Sequence, residues 1–142
     1  MIYAKVIAVK DGDTIEILYE GKPMRIRMAH IDCPELGKSQ PFGRAAKTFT
    51  SAMCYGQQVT IFNEGVFDRY KRLIAVVINK AGLNVNKELM KAGLAWHFLR
   101  YSSDTTYAQL EKLARQKKMG LWKDENPIPP WKWRNHKTVE VQ

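Results

Sequence analysis

Cysteine is scarce in this chain: Cys33 and Cys54 are its only two. They make no CxxC motif and no disulfide framework, at most a single bridge, and Cys54 reads as a small buried hydrophobe in a predicted helix. His30, His97 and His136 are scattered, so no zinc signature exists. No stretch approaches the roughly 18 consecutive apolar residues of a membrane span. No charged-then-apolar leader opens the sequence. Internal repeats and linker-like composition breaks are missing too. The 142 residues suffice for one domain with a real core and not comfortably for two.

Acidic residues are the minority, and their placement is uneven. The net charge is +9, yet residues 1–36 carry five Lys/Arg against six Asp/Glu, while residues 37–142 carry 18 against eight. An acidic patch therefore sits in a basic molecule. Such a field attracts a polyanion while one pocket still holds a cation.

The patch is made by two turns. Asp11-Gly12-Asp13-Thr14 follows the apolar run 2–9 and precedes a second strand, Thr14 to Tyr19. Glu20 to Pro23 is another turn. Met24 to Ile31 alternates with period two, putting Arg25 and Arg27 opposite Met24, Ile26 and Met28. In a small barrel that alternation leaves open whether Arg27 is buried. Arg27 leads into Ile31-Asp32-Cys33-Pro34-Glu35, where proline forces a turn able to aim Asp32 and Glu35 into one cleft. Further along, Ala46, Phe49 and Met53 have helical spacing over 43–55. Gln58 to Phe62 and Leu73 to Asn79 read as strands, joined by the basic loop Asp68-Arg69-Tyr70-Lys71-Arg72. Asn84 caps a short helix holding Val85, Leu89 and Ala92, and a third helix carries Tyr107, Leu110 and Ala114 as far as Gly120. The tail from Lys123, with three prolines and two tryptophans, reads as extended. Five strands interrupted by a helix predict an α+β fold, a five-stranded barrel of the OB type with three helices. Residues 1–122 form the domain, with 123–142 a Pro/Trp-rich tail packed on it or trailing from it.

Asp13 and Asp32, completed by a backbone carbonyl and water, match the hard-oxygen set that holds Ca²⁺. Glu35 is placed to take a proton from an attacking water. Arg27 and Arg72 offer planar forks to a phosphate. Tyr70, beside Arg69, can stack on a base, and Trp96, Phe98 and Tyr101 stand where they can line the same cleft. For Trp131, Trp133 and Arg134, packing of the tail onto the body is favoured over ligand contact. Each piece has a plainer reading: a hairpin turn, a surface acid, a solvated basic loop, core aromatics.

Taken together, the motifs resemble the staphylococcal nuclease family. They are V-x-D-G-D-T at 9–14, R-x-x-x-I-D-x-P-E at 27–35, D-R-Y-x-R at 68–72, V-N-x-E-L at 85–89, G-L-A at 93–95 and G-L-W at 120–122. The resemblance implies an OB barrel with three helices and a Ca²⁺-dependent phosphodiesterase, cleaving DNA and RNA at the 5′ P–O bond to leave 3′-phosphate ends. Position by position it implies Asp13, Asp32 and the Cys33 carbonyl as Ca²⁺ ligands, Glu35 as general base, Arg27 and Arg72 as phosphate clamps, and Arg69 and Tyr70 on a terminal phosphate. The expected protein is a monomeric bacterial nuclease, secreted or in the cell envelope with a cytoplasmic location left open, with nucleic acid as partner and no membrane. Two departures stand out: Cys33 replaces a threonine, and Lys71 replaces a common glycine. The rival reading is a non-catalytic OB module binding nucleic acid or a protein. The presence of Asp13, Arg27, Asp32, Glu35 and Arg72 together argues for the enzyme.

Overall fold

The computed structural model describes residues 1–135; His136 lies outside the described residues. Strands β1 (Ile2–Asp11), β2 (Thr14–Tyr19), β3 (Lys22–Met28), β5 (Gln58–Phe67) and β6 (Leu73–Ile78) close a barrel in the order β1-β2-β3-β6-β5. All neighbours are antiparallel except β3 and β6. A two-residue strand β4 (Ile31–Asp32) pairs instead with β7 (Trp96–His97), a small ladder that the apolar patterning does not signal. Helices are α1 (Gly43–Cys54), α2 (Val85–Lys91), α3 (Thr105–Gln116) and a single turn α4 (Pro130–Trp133), with one 3-10 turn at Gly120–Lys123. No helix among the described residues is long and apolar enough to cross a membrane.

The barrel is filled by alternate strand residues, as a pleated strand requires. Val6, Ile15, Ile17, Ile26, Met28, Ile61 and Val77 are almost fully buried. Along β1 the inward phase slips: Ala4 and Val6 point in, then Val9. A bulge between Val6 and Ala8 supplies the extra residue. A second irregularity between Val9 and Asp11 brings Asp11 opposite Thr14, and Thr14 in turn pairs with Arg27. The barrel rim thus carries Asp11, Thr14 and Arg27 side by side on three strands.

The helices cap the barrel as their sequences dictate. The buried stripe of α1 is Gly43, Ala46, Thr50 and Cys54, with Phe49 and Met53 only partly buried beside it. The Asn84 side chain accepts the Lys87 N–H at the start of α2, and that of Asp104 accepts the Thr106 N–H at the start of α3. Helix α3 stops at Gln116, earlier than the expected Gly120. The chain then turns so that Gly120 lies directly against Gly93, both at positive φ, and a Cβ on Gly93 would collide with the Met119 carbonyl. The tail is not simply extended. It makes α4 and packs back, with Trp131 edge-on to Trp96 at 5.6 Å and parallel to Phe98 at 5.5 Å. Both cysteines are free and buried.

Candidate active site

The β1–β2 turn is seated by contacts that only a small residue allows. A Cβ on Gly12 would lie 2.6 Å from the Cβ of Ala46 and 3.0 Å from the Sγ of Cys33. The buried Thr50 hydroxyl donates to the Gly12 carbonyl at 2.6 Å, which explains a polar residue on the inner face of α1. Asp13 is thereby carried against the segment after β4, and its Oδ2 accepts the Cys33 N–H at 2.7 Å. Burial, reinforced by the Asp13 charge, pushes the Cys33 thiol well above its ordinary pKa. The thiol faces Gly12 rather than solvent.

Arg27 ties the two acidic turns together. Its Nη1 donates to the Met28 and Ile31 carbonyls at 2.9 and 3.0 Å and lies 3.4 Å from Asp13 Oδ2, while Nη2 donates to Asp32 Oδ1 at 3.2 Å. Strand alternation puts Arg27 on the outer face of β3, yet these loops fold over it, leaving its side chain 13% exposed. Burial opposes its charge, but Asp13 and Asp32 outweigh that and raise its pKa. The guanidinium therefore orients the carboxylates first, with Nε and one Nη2 hydrogen left for a ligand.

Asp32 is the most enclosed acid among the described residues, its side chain 1% exposed. Burial raises its pKa to about 6, against the opposing pull of a hydrogen bond from Arg134. Arg134 arrives from the tail: Nη2 donates to Asp32 Oδ2 at 2.8 Å, and Nη1 reaches both Asp32 Oδ1 at 3.2 Å and Glu35 Oε2 at 3.0 Å. One cationic group thus touches Asp32 and Glu35 at once. Glu35 is held by its backbone, whose N–H donates to Gln40 Oε1 at 2.8 Å.

The 68–72 loop approaches from the β6 side. Asp68 Oδ1 accepts the N–H groups of Tyr70 and Arg72, and Oδ2 accepts Arg72 Nε at 2.8 Å. Partial burial works against the Asp68 charge, but these bonds outweigh it and hold its pKa below the usual range. Lys71 sits at φ 63, the left-handed conformation that makes glycine common there. Arg25 anchors the loop to β3 through the Tyr70 carbonyl at 2.7 Å. Arg72 Nη1 extends to 3.4 Å from the Thr14 hydroxyl, bringing it to the rim. The Arg69 and Arg72 guanidiniums both lie over the exposed Tyr70 ring, at 5.0 and 5.3 Å.

Asp13, Arg27, Asp32 and Cys33 are thus joined by direct contacts, Arg72 meets them through Thr14, and Glu35 is linked to Asp32 through the Arg134 guanidinium. Tyr101 stands apart. It is exposed and packs edge-on to Phe98, which stacks on Trp131 of the tail, and no hydrogen bond among the described residues joins it to the acids. Two residues enter that the sequence reading did not assign. Asp11 is drawn in by the strand irregularity, and its pKa is raised by burial and by repulsion from Asp13 and Glu35. Its position in the D-G-D triplet was the available signal. Arg134, expected to pack, contacts the acids themselves; no local pattern points from position 134 to position 32.

Four carboxylates (Asp11, Asp13, Asp32, Glu35) here face two guanidiniums of the barrel, Arg27 and Arg72. That surplus of negative charge, and the guanidinium of Arg134 standing in as a cation, fit a site built for a positive ion. The donors are all oxygens, which suits a hard cation. Among the described residues no three acidic, histidine or cysteine side chains form a cage by themselves.

Known proteins match this chain along most of its length. The family model described as Staphylococcal nuclease homologue matches residues 25–124. A protein of Escherichia coli O157:H7 named as an uncharacterized endonuclease is 41% identical over 138 residues, covering 96% of this chain and 87% of that protein. A Haemophilus influenzae protein of the same name is 40% identical, over 96% of this chain and 75% of its own. A Shigella flexneri protein named micrococcal nuclease is 38% identical over 141 residues, 92% of this chain and 79% of that one.

Proposed function

The chain belongs to the staphylococcal nuclease family, and from that premise we propose that it is a Ca²⁺-dependent nuclease. It hydrolyses phosphodiester bonds of DNA and RNA at the 5′ P–O bond and leaves 3′-phosphate ends. The observation that carries the reading is the convergence of Asp32 and Glu35 on a single cation while Arg27 braces Asp32 against Asp13.

In this reading Asp13 and Asp32 hold the ion, with the Cys33 carbonyl and water completing its oxygens. When bound, the ion supplies positive charge that polarises the phosphate and favours deprotonation of a nearby water. The chain's own residues do the rest. Glu35 Oε2, freed from Arg134, accepts the proton of the water that attacks phosphorus. Arg72, aimed over the rim by Asp68, donates to the equatorial phosphate oxygens, whose negative charge grows as phosphorus becomes five-coordinate. Arg27 offers its remaining donors to the same group and keeps both carboxylates in place. Arg69 and Tyr70 receive a flanking phosphate or base from the basic side of the molecule.

Incubation with plasmid and single-stranded DNA, and with RNA, tests this. Digestion is expected with Ca²⁺, is stopped by EDTA, and yields 3′-phosphate termini by end-group analysis. Tight binding without cleavage across pH and divalent metals would replace the nuclease with the binding-module reading.

A further inference from the structure

The tail is fastened at several points, each leading to the next. Gln40 donates from Nε2 to the Ile128 carbonyl at 2.6 Å while its Oε1 holds the Glu35 N–H. Trp131 packs on Trp96 and Phe98. Trp133 Nε1 donates to the Lys38 carbonyl at 3.1 Å, and Lys38 Nζ donates to the Arg134 carbonyl at 2.8 Å. Beneath this belt a cavity of about 70 Å³ is lined by Pro34, Trp96, Leu121, Ile128 and Trp133, among others. The belt ends with the Arg134 guanidinium on Asp32 and Glu35.

This arrangement takes three of the roughly four lone-pair sites on the two oxygens of Asp32. Oδ1 accepts from Arg27 and Arg134, and Oδ2 from Arg134. A dication coordinating Asp32 competes with Arg134, because the guanidinium covers both carboxylate oxygens and the two cations repel one another. Arg27 sits behind the carboxylates with further carbonyl partners and stays. Arg134, with its side chain 34% exposed, is the one with a way out.

Resting on the nuclease reading, we infer that Arg134 is a displaceable latch: it occupies the cation site in the metal-free protein, and metal binding expels it together with the end of the tail. Three consequences follow. Metal affinity is lower than the carboxylates alone would give. The metal-free protein keeps Asp32 neutralised by an internal counter-ion. Binding of the ion at Asp32 is reported at Trp133, whose indole shares the Lys38 link with Arg134.

Titration of Ca²⁺ into substrate-free protein by calorimetry, with tryptophan fluorescence and the Trp133 Nε1–H NMR signal followed in parallel, tests the latch. Arg134→Met is expected to bind Ca²⁺ about tenfold more tightly than the parent, and Arg134→Lys to fall between them. In the parent the Trp133 signal shifts with the same midpoint as the heat. Trp133→Phe, which loosens the belt without touching the acids, tightens binding in the same direction and guards against misfolding of the first variant. Equal Ca²⁺ affinities for parent, Arg134→Met and Trp133→Phe overturn the latch while leaving the nuclease reading intact. Failure of the parent and Arg134→Met alike to bind any of Ca²⁺, Mn²⁺ or Mg²⁺ overturns both.

Discussion

Arg27→Met is the sharpest test of how the site is assembled. The substitution keeps most of the side-chain volume and removes a guanidinium with 13% exposure. It deletes donors to the Met28 and Ile31 carbonyls and to Asp32, and the ion pair with Asp13. Asp13, with its side chain 8% exposed, is left without its guanidinium, while Asp32, 1% exposed, keeps Arg134 as its remaining partner. Removing one partner from a buried ion pair costs about 3–5 kcal/mol, because the desolvated charge remains without compensation. For a domain of this size each kcal/mol lowers Tm by roughly 3–4 °C, so a fall of about 10–20 °C is expected without metal. Urea denaturation of the metal-free proteins measures it directly, provided the m-values agree. Calcium adds a second expectation. An ion on the same two carboxylates replaces the missing positive charge, so Ca²⁺ at about 100 times its Kd restores at least ~2.7 kcal/mol. Arg27→Lys falls between, since an ammonium cannot span two carbonyls and a carboxylate. A metal-free loss below about 1 kcal/mol would refute the bracing role and leave Arg27 a substrate contact only.

Four further outcomes are expected. Between pH 4 and 6 folded Asp32, held up at about 6 by burial, binds a proton that the unfolded chain releases, so its contribution to stability declines as pH rises; comparison with Asp32→Asn without metal should show the parent losing about 2–3 kcal/mol relative to the variant from pH 4 to 7, and a pH-independent difference would contradict this. Glu35→Gln should reduce kcat by 10²-fold or more with little change in KM for DNA, and comparable losses in both would remove its role as base. Gly12→Ala drives a methyl into Ala46 and Cys33 and should cost about 1–3 kcal/mol in chemical denaturation while weakening Ca²⁺ binding in calorimetry; unchanged Ca²⁺ affinity would mean that the turn's seating does not govern Asp13. Lys71→Gly relieves the left-handed strain at φ 63 and should raise the melting temperature by a few degrees, by about 0.5–1 kcal/mol.

The barrel was legible because its signals are local. A β-rich apolar run at 2–9, a second strand-forming stretch at 14–19 and period-two alternation from Met24, separated by Asp-Gly-Asp and Glu-Gly-Lys-Pro turns, dictate strands and hairpins whatever surrounds them. Asp13, Asp32 and Glu35 were legible for a related reason: each sits in a turn whose chemistry suits both the bend and a carboxylate. Alternation also put Arg27 on the face opposite Met24, Ile26 and Met28; the structure makes that the outer face of β3, and only the folding of the 29–33 segment over it buried the side chain. The β4–β7 ladder joins residues more than sixty positions apart over two residues each, too short to leave a pattern. Arg134 is the extreme case. Nothing near position 134 specifies an acid 102 residues away, and the contact arises because aromatic packing of Trp131 seats the tail so that the next turn ends above Asp32. Short-range sequence determined the strands, the turns and which acids and arginines stand in them. Tertiary structure alone decided which guanidinium is buried and which bridges Asp32 and Glu35, because both depend on long-range packing and on desolvation of charges brought together by the whole fold.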